Sequence, residues 1–316
     1  MAIRAALDVG SNSIKLLVLD VAEDRSYKVI TDESVVTGLG RNLTPGSALD
    51  ADSCANSIEV VRQFAARARD LGAEEIVGAG TAAMRRAGNG KQFIVEMNQS
   101  TGLDIRIISG EREAAIASEV AMREIPGEHE HVVLFDTGGG STELSWFHDG
   151  RLEGDSSIAL GARYLTDELE ITHPVGDEMR ERISNYVLSK LPDNAVGPHR
   201  GGELVAGAVT LAGLGGTASL IVWLMQGLRG EEKSDPHLKV VTSAQLALLL
   251  ERMARMDLEA VRSMKNMNPD RATVVFAGVS IIRGLLRHYG VESFILTDRG
   301  LRYGLLLSDI MQPSGA

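Results

Sequence analysis

Leu134–Trp146 reads LFDTGGGSTELSW: an apolar run, an aspartate, three consecutive glycines, and then Ser141, Thr142 and Glu143 before apolar residues resume. Glycine weakens a strand interior, so three of them between two strand-like runs predict a turn. Backbone N–H groups free of side chains form a concave nest suited to phosphate oxygens. A tight hairpin that only needs positive φ is the simpler reading of one such turn. Strand alternation puts Ser141, Glu143 and Ser145 on one face and Thr142, Leu144 and Trp146 on the other. Asp136 and Glu143 are hard oxygen ligands of the kind Mg²⁺ takes together with substrate phosphates.

The first residues of the chain repeat the layout. With Asp8 set over Asp136, Gly10 falls on Gly138, Ser13 on Ser141 and Leu16 on Leu144. AALDVG and SIKLLVLDV therefore predict a second strand–turn–strand unit, with Ser13 and Lys15 on one face. Two turns in matched context, together with the glycine-rich GLGGT at 213–217, favour phosphate binding over a pair of plain hairpins.

Between and after the hairpins, strands and helices alternate in an α/β manner. Ile58, Val61, Phe64, Ala65, Ala68 and Leu71 recur at helical spacing, with Gly72 as the stop. EEIVGAGT reads as a strand, KQFIVEMNQ as a helix and LDIRIIS as a strand. SGEREAAIASEVAMREI reads as a helix N-capped by Ser109 with an acidic first turn. The polar IPGEHEH marks a boundary near Ile125, ahead of the strand VVLFD. The expected organisation is one domain over 1–125 and a second over 126–299, with a C-terminal helix at 300–316 packing back on the first and disorder in the final QPSGA. GDEMRERISNYVLSKL, TSAQLALLLERMARM and ATVVFAGVSIIRGLLRHYG continue the helical elements of the second half.

The bulk numbers agree with this picture. At 316 residues the chain exceeds the size at which one core keeps growing, and 44% hydrophobic with 24% charged residues is ordinary for a globular protein. A net charge of −11 without a Lys/Arg tract argues against a nucleic-acid polymer as partner. The lone Cys54 precludes an internal disulfide and fits a reducing cytoplasm. The chain reaches an apolar strand at once, without a signal-peptide layout. The uncharged stretch 204–228 is long enough to span a bilayer by count, but its five glycines, GLGGT among them, predict a turn between two buried elements instead.

Other features carry less. GNGKQ around Lys91 lacks the earlier Gly and the following Ser/Thr of a Walker loop. Cys54 has no arginine at cysteine-phosphatase spacing. HEH (129–131) has no obvious third ligand and is expected to be ordinary surface, and HDG at 148–150 reads as a turn. Glu111 and Glu113 fall in the first turn of a helix, where acids oppose the helix dipole, and on the residues alone both read as structural. Arg85 and Arg86 follow Thr81 past a strand and fit either a phosphate clamp or a solvated face.

The two Asp-Gly hairpins, GLGGT and VFAGVSIIRGLL resemble the actin, sugar-kinase and heat-shock chaperone superfamily. The resemblance implies two ribonuclease-H-like (actin-like ATPase) α/β domains with the active site in the cleft between them. ALDVGSNSIKLLV, GTAAMRRA, IISGEREAAIA, LFDTGGGSTEL and TDRGLRYGLL, in that order and across nearly the whole chain, are more closely similar to the exopolyphosphatase and guanosine pentaphosphate phosphatase family. That resemblance implies Glu113 as catalytic glutamate, and Asp136 and Glu143 as carboxylates for Mg²⁺ and phosphate positioning. It implies Gly138, Gly139, Gly140 and Ser141 as a phosphate loop, Asn12 and Ser13 as its first-domain partner, and Arg85, with Lys15, as phosphate ligands. Glu143 is counted with Glu113 among the catalytic groups. The implied activity is Mg²⁺-dependent hydrolysis of the terminal phosphoanhydride of polyphosphate or pppGpp, in the cytoplasm, with a homodimer expected on base rates. An ATPase or phosphotransferase of the wider superfamily, and a non-catalytic nucleotide-binding or filament-forming protein, are the alternatives. Arg112 stands in place of the family's usual first glutamate and Ala115 where many relatives carry arginine. Longer relatives append helical domains that help bind long polyphosphate, so two domains alone imply shorter chains.

Overall fold

A computed structural model describes residues 2–308 except 25, 42, 45, 128, 192–195, 201 and 202. The second half of the helix expected at 300–316, with its QPSGA end, lies outside the described residues. The chain divides into two compact units, Met1–Val120 with Arg299–Ala316, and Ala121–Asp298.

The first unit is built on a five-stranded sheet in the order β3-β2-β1-β4-β5, formed by β1 (Ala2–Val9), β2 (Ser13–Val21), β3 (Tyr27–Val36), β4 (Glu75–Gly80) and β5 (Ile105–Ile107). β1, β2 and β3 form an antiparallel meander, and β4 and β5 run parallel to β1. Residues alternate across β1. Ala5, Leu7 and Val9 enter a core with α1 (Ala51–Asp70) and α3 (Gly90–Thr101), while Ala6 faces α4 (Gly110–Glu124). Asp50 caps α1 by accepting a hydrogen bond from the Ser53 amide at 2.9 Å, and the 58/61/64/65/68 stripe is buried as its spacing predicts. The short α2 (Ala82–Arg86) leaves β4 through Thr81, whose amide donates to Val9 O at 3.2 Å.

In the second unit β6 (His131–Thr137), β7 (Thr142–His148) and β8 (Arg151–Ile158) repeat the antiparallel meander. Next come α5 (Ala162–Leu169), α6 (Asp177–Lys190) and the short pair β9 (His199–Arg200) and β10 (Glu203–Leu204). β11 (Thr210–Leu214), α7 (Gly215–Leu228), β12 (Val240–Thr242), α8 (Ser243–Ala254), α9 (Leu258–Arg262), α10 (Val275–Tyr289) and β13 (Ser293–Leu296) follow. The six-stranded sheet runs β12-β13-β11-β6-β7-β8, with β11 parallel to both β6 and β13. Without the added edge strand β12 this is the order of the first sheet, so the repeat seen in two short motifs extends to the whole topology.

The uncharged 204–228 stretch divides into β11 and α7, broken at Gly215, whose φ of +78° no branched residue adopts easily. No helix among the described residues is long and apolar enough to cross a membrane. α8 is closed by a capping box in which Thr242 and Gln245 bond reciprocally. The final helix α11 (Leu301–Leu307) packs in the first unit, where Leu301, Tyr303 and Leu305 share a core with Ala6, Leu17 and Ile116.

Candidate active site

The two hairpins are equivalent down to their hydrogen bonds. In the first, Asp8 lies opposite Lys15 and the Gly10 amide donates to Ser13 O at 3.1 Å. In the second, Asp136 lies opposite Glu143 and the Gly138 amide donates to Ser141 O at 2.9 Å. Each turn thus presents a two-residue tip, Ser11–Asn12 and Gly139–Gly140. The backbone amides of these four residues donate no hydrogen bond among the described residues. Partly exposed amides in tandem at a turn are ready donors for an anion.

Each tip is braced from behind. Asn12 O accepts from the Thr37 and Gly38 amides, both at 3.0 Å, and Ser11 O accepts from the Gly40 amide at 2.6 Å. Asn12 Nδ2 also reaches Ser13 Oγ at 3.3 Å. In the second hairpin the start of α5 does this work. Ala162 N donates to Gly138 O, and the Arg163 and Tyr164 amides both donate to Gly139 O, each at 2.9 Å. With its carbonyls engaged by the helix, the glycine loop keeps its amides facing away. Gly161 permits the approach, since a Cβ there would lie 2.4 Å from Gly139 C and 2.5 Å from Gly140 C.

The carboxylates take defined places. Glu143 accepts from Ser141 Oγ and from Ser157 Oγ at 3.1 Å, which fixes its Oε1 beside the loop. Asp136 sits against the GLGGT turn so closely that a Cβ on Gly215 would fall 2.1 Å from its Oδ1. Register pairing puts Asp136 and Glu143 side by side on one sheet face, as a shared divalent cation requires. Thr217 Oγ1 donates to Thr137 O at 2.6 Å and Thr142 Oγ1 to Leu160 O at 2.6 Å, anchoring the base of the hairpin to its neighbours.

In the first unit Glu113 stands on the first turn of α4, whose start is capped where the Arg112 amide donates to Ser109 Oγ at 3.1 Å. Its Oε2 accepts from Arg85 Nη1 at 2.7 Å, and the same guanidinium nitrogen donates to Ile108 O at 3.0 Å. Arg85 and Glu113, assigned separate roles from the sequence, are therefore one ion pair, about a third exposed on each side (28% and 33%). Asp8 lies on the β1 face that looks toward α4. Burial pushes its carboxyl above the usual range, the Lys15 ammonium opposes that, Glu113 adds to it and Arg302 opposes it. Its Oδ1 is buried without a hydrogen-bond partner.

Some site residues escaped the sequence reading. Asp8 served only to align the repeats, although its match to Asp136 was the signal that could have marked it. Arg271, in the 3₁₀ turn Pro269–Arg271, places its Nη2 2.7 Å from where a Cβ on Gly216 would sit. It therefore covers the GLGGT turn with positive charge, and nothing local in NPDRAT announces that contact.

Two equivalent hairpins with open amide tips, one flanked by Asp8 and Lys15 and the other by Asp136 and Glu143, on sheets of matching strand order, define a protein of the actin-like α/β fold. The model of the Ppx/GppA phosphatase family matches residues 17–312, and the chain belongs to that family. It is 22% identical to a bifunctional 3-dehydroquinate synthase/phosphatase of Fusobacterium nucleatum, covering 98% of this chain and 46% of that protein. It is 24% identical to exopolyphosphatase 1 of Mycobacterium leprae (95% of this chain, 87% of that one). It is 27% identical to a guanosine-5'-triphosphate,3'-diphosphate pyrophosphatase of Vibrio atlanticus (95% and 58%). The chain thus spans about half the length of the first and third of these relatives. The crystal structure of the Aquifex aeolicus family member has the same fold, with a TM-score of 0.84 at 23% identity over 100% of this chain and 99% of that one.

Proposed function

We propose that the chain hydrolyses the terminal phosphoanhydride of inorganic polyphosphate or pppGpp with the aid of a divalent cation, Mg²⁺. The observation that carries the reading is the pair of register-matched hairpins whose tip amides have no acceptor among the described residues. In this proposal the Gly139 and Gly140 amides bind phosphate of the substrate, as do Ser11, Asn12 and Ser13. Lys15 and Arg271 offset its negative charge.

Glu113 is the group that takes a proton from the attacking water, at its carboxylate oxygens. Arg85 orients that carboxylate through the 2.7 Å bond and, in this proposal, is also a phosphate ligand. Asp136 and Glu143 would hold the Mg²⁺, which when bound offsets charge on the phosphoryl oxygens. The donor set fits, being two carboxylates on one face with Glu143 oriented by two serine hydroxyls. The loop amides stabilise charge that grows on the phosphoryl oxygens as water attacks in line.

The same proposal places the enzyme in the cytoplasm, links it through pppGpp to the stringent response, and takes a homodimer as its working form. Phosphate release from polyphosphate, pppGpp and ATP, each with Mg²⁺, tests it. Release from polyphosphate or pppGpp at rates well above ATP is expected. Turnover of ATP alone would replace it with an ATPase reading, and no release from any of the three would remove it.

A further inference from the structure

The far end of the β6–β7 hairpin carries a second cluster of ligand-type side chains. His131 on β6 lies opposite His148 on β7 in the strand register, and their rings sit 4.6 Å apart at 32°. Glu130 precedes β6, and its Oε1 lies 3.6 Å from His131 Nε2 and 3.8 Å from His148 Nε2. Asp149, held at φ +48° in the β7–β8 turn, brings Oδ2 to 3.7 Å from His148 Nε2. One ligand atom from each of Glu130, His131 and His148 lies within 4.8 Å of the others.

These separations exceed hydrogen-bond length, which for such pairs is about 2.7–3.2 Å. They come close to the spacing of ligands around a tetrahedral ion. Bonds of about 2.0–2.2 Å put ligand atoms roughly 3.3–3.5 Å apart. A few tenths of an ångström of closure on the measured edges would seat an ion. His131 is only 16% exposed and makes no side-chain hydrogen bond among the described residues; its Nδ1 is buried without a partner, which leaves Nε2 facing the cluster. Nε2 is thus the ring nitrogen placed to take an ion, with Nδ1 on the buried side of the ring. His129, by contrast, is engaged elsewhere, by Thr210 Oγ1 at 2.9 Å and Pro126 O at 2.7 Å.

We propose that Glu130, His131 and His148 bind a borderline divalent transition ion, Zn²⁺ by chemical class, that clamps β6 to β7. Imidazole nitrogens select such ions over Mg²⁺, which suits the all-oxygen pair Asp136 and Glu143. Five residues of strand separate His131 from Asp136, roughly 17 Å at about 3.4 Å per residue. His131 and His148 also lie on the opposite sheet face from Asp136 and Glu143. The ion is therefore structural and takes no part in phosphate chemistry.

The test uses chelator-treated full-length protein in excess Mg²⁺. Calorimetric titration with Zn²⁺ is expected to show about one equivalent, and Zn²⁺ at a hundredfold excess over its Kd should raise Tm by about 5–10 °C. Co²⁺ should give visible absorption bands and quench Trp146, whose ring centroid is 5.9 Å from that of His131. His148→Ala and His131→Ala should each weaken Zn²⁺ binding at least tenfold and abolish both Co²⁺ signals. Each variant's melting temperature with and without Zn²⁺ is compared with itself, so a general loss of stability does not enter. Asp136→Asn should retain all three responses. A Zn²⁺ response that survives in both histidine variants, or that is lost in Asp136→Asn, overturns the site.

Discussion

Replacing Gly161 by alanine probes the glycine cradle without touching a charged group. The new Cβ would lie 2.4 Å from Gly139 C and 2.5 Å from both Gly139 O and Gly140 C, whereas carbon atoms rest at about 3.5–4.0 Å. Since the atoms met are backbone, no rotamer change relieves the clash, and the loop or the start of α5 must move by about 1 Å. That movement stretches the 2.9 Å bonds from the Ala162, Arg163 and Tyr164 amides that hold the loop. Overpacking of this kind costs about 1–3 kcal/mol. At about 2–4 °C per kcal/mol for a unit of this size, Tm should fall by roughly 2–12 °C. A 1 Å shift of phosphate-binding amides should lower turnover about 10²-fold. The assay is phosphate release beside thermal melting. Gly176→Ala serves as the control, because no atom lies within 4 Å of its Cβ and its φ is −67°. Turnover of Gly161→Ala within twofold of the parent would refute the role given to the Gly139–Gly140 amides, whatever happens to Tm.

Asp8→Asn should stabilise the protein at neutral pH while lowering activity. Burial raises the folded pKa of Asp8, so its contribution to stability is full below the unfolded value of about 4 and is lost as pH rises through the folded value. The gain in Tm from asparagine should therefore be present at pH 7 and vanish near pH 4; a gain that grows toward acid would contradict the burial argument. Asp136→Asn should raise the Mg²⁺ concentration for half-maximal rate at least tenfold, measured by Mg²⁺ titration of phosphate release, because it leaves Glu143 alone to face the ion. Gly215→Ala, with φ +78° and a Cβ 2.1 Å from Asp136 Oδ1, should lower both Tm and turnover, and unchanged values for both would show that the GLGGT turn does not position Asp136.

Both hairpins were legible because turn chemistry is local: Asp, Gly and Ser at fixed offsets between apolar runs announce it. The long amphipathic α1 was legible for the same reason, its stripe being written in its own sequence. β3 and β8 were not, since YKVITDESVV and RLEGDSSI are edge strands whose residues stand largely exposed, so no apolar alternation marks them. The ion pair of Arg85 with Glu113 joins residues far apart in sequence, and sequence alone left Arg85 undecided. The burial of Asp8 belongs to the packing of α4 and α11 on the sheet and cannot be read from ALDVGS. His131 and His148 meet only through the β6–β7 register, which is why HEH reads as surface and HDG as an unrelated turn.

Glu113 is the group on which the proposed hydrolysis depends most directly. Phosphate release from polyphosphate and pppGpp should be measured in Mg²⁺ for the parent and for Glu113→Gln, with the melting temperature of each recorded alongside. A rate lowered about 10²–10⁴-fold with Tm retained is the predicted result. A Glu113→Gln variant that releases phosphate at the parent's rate would contradict it.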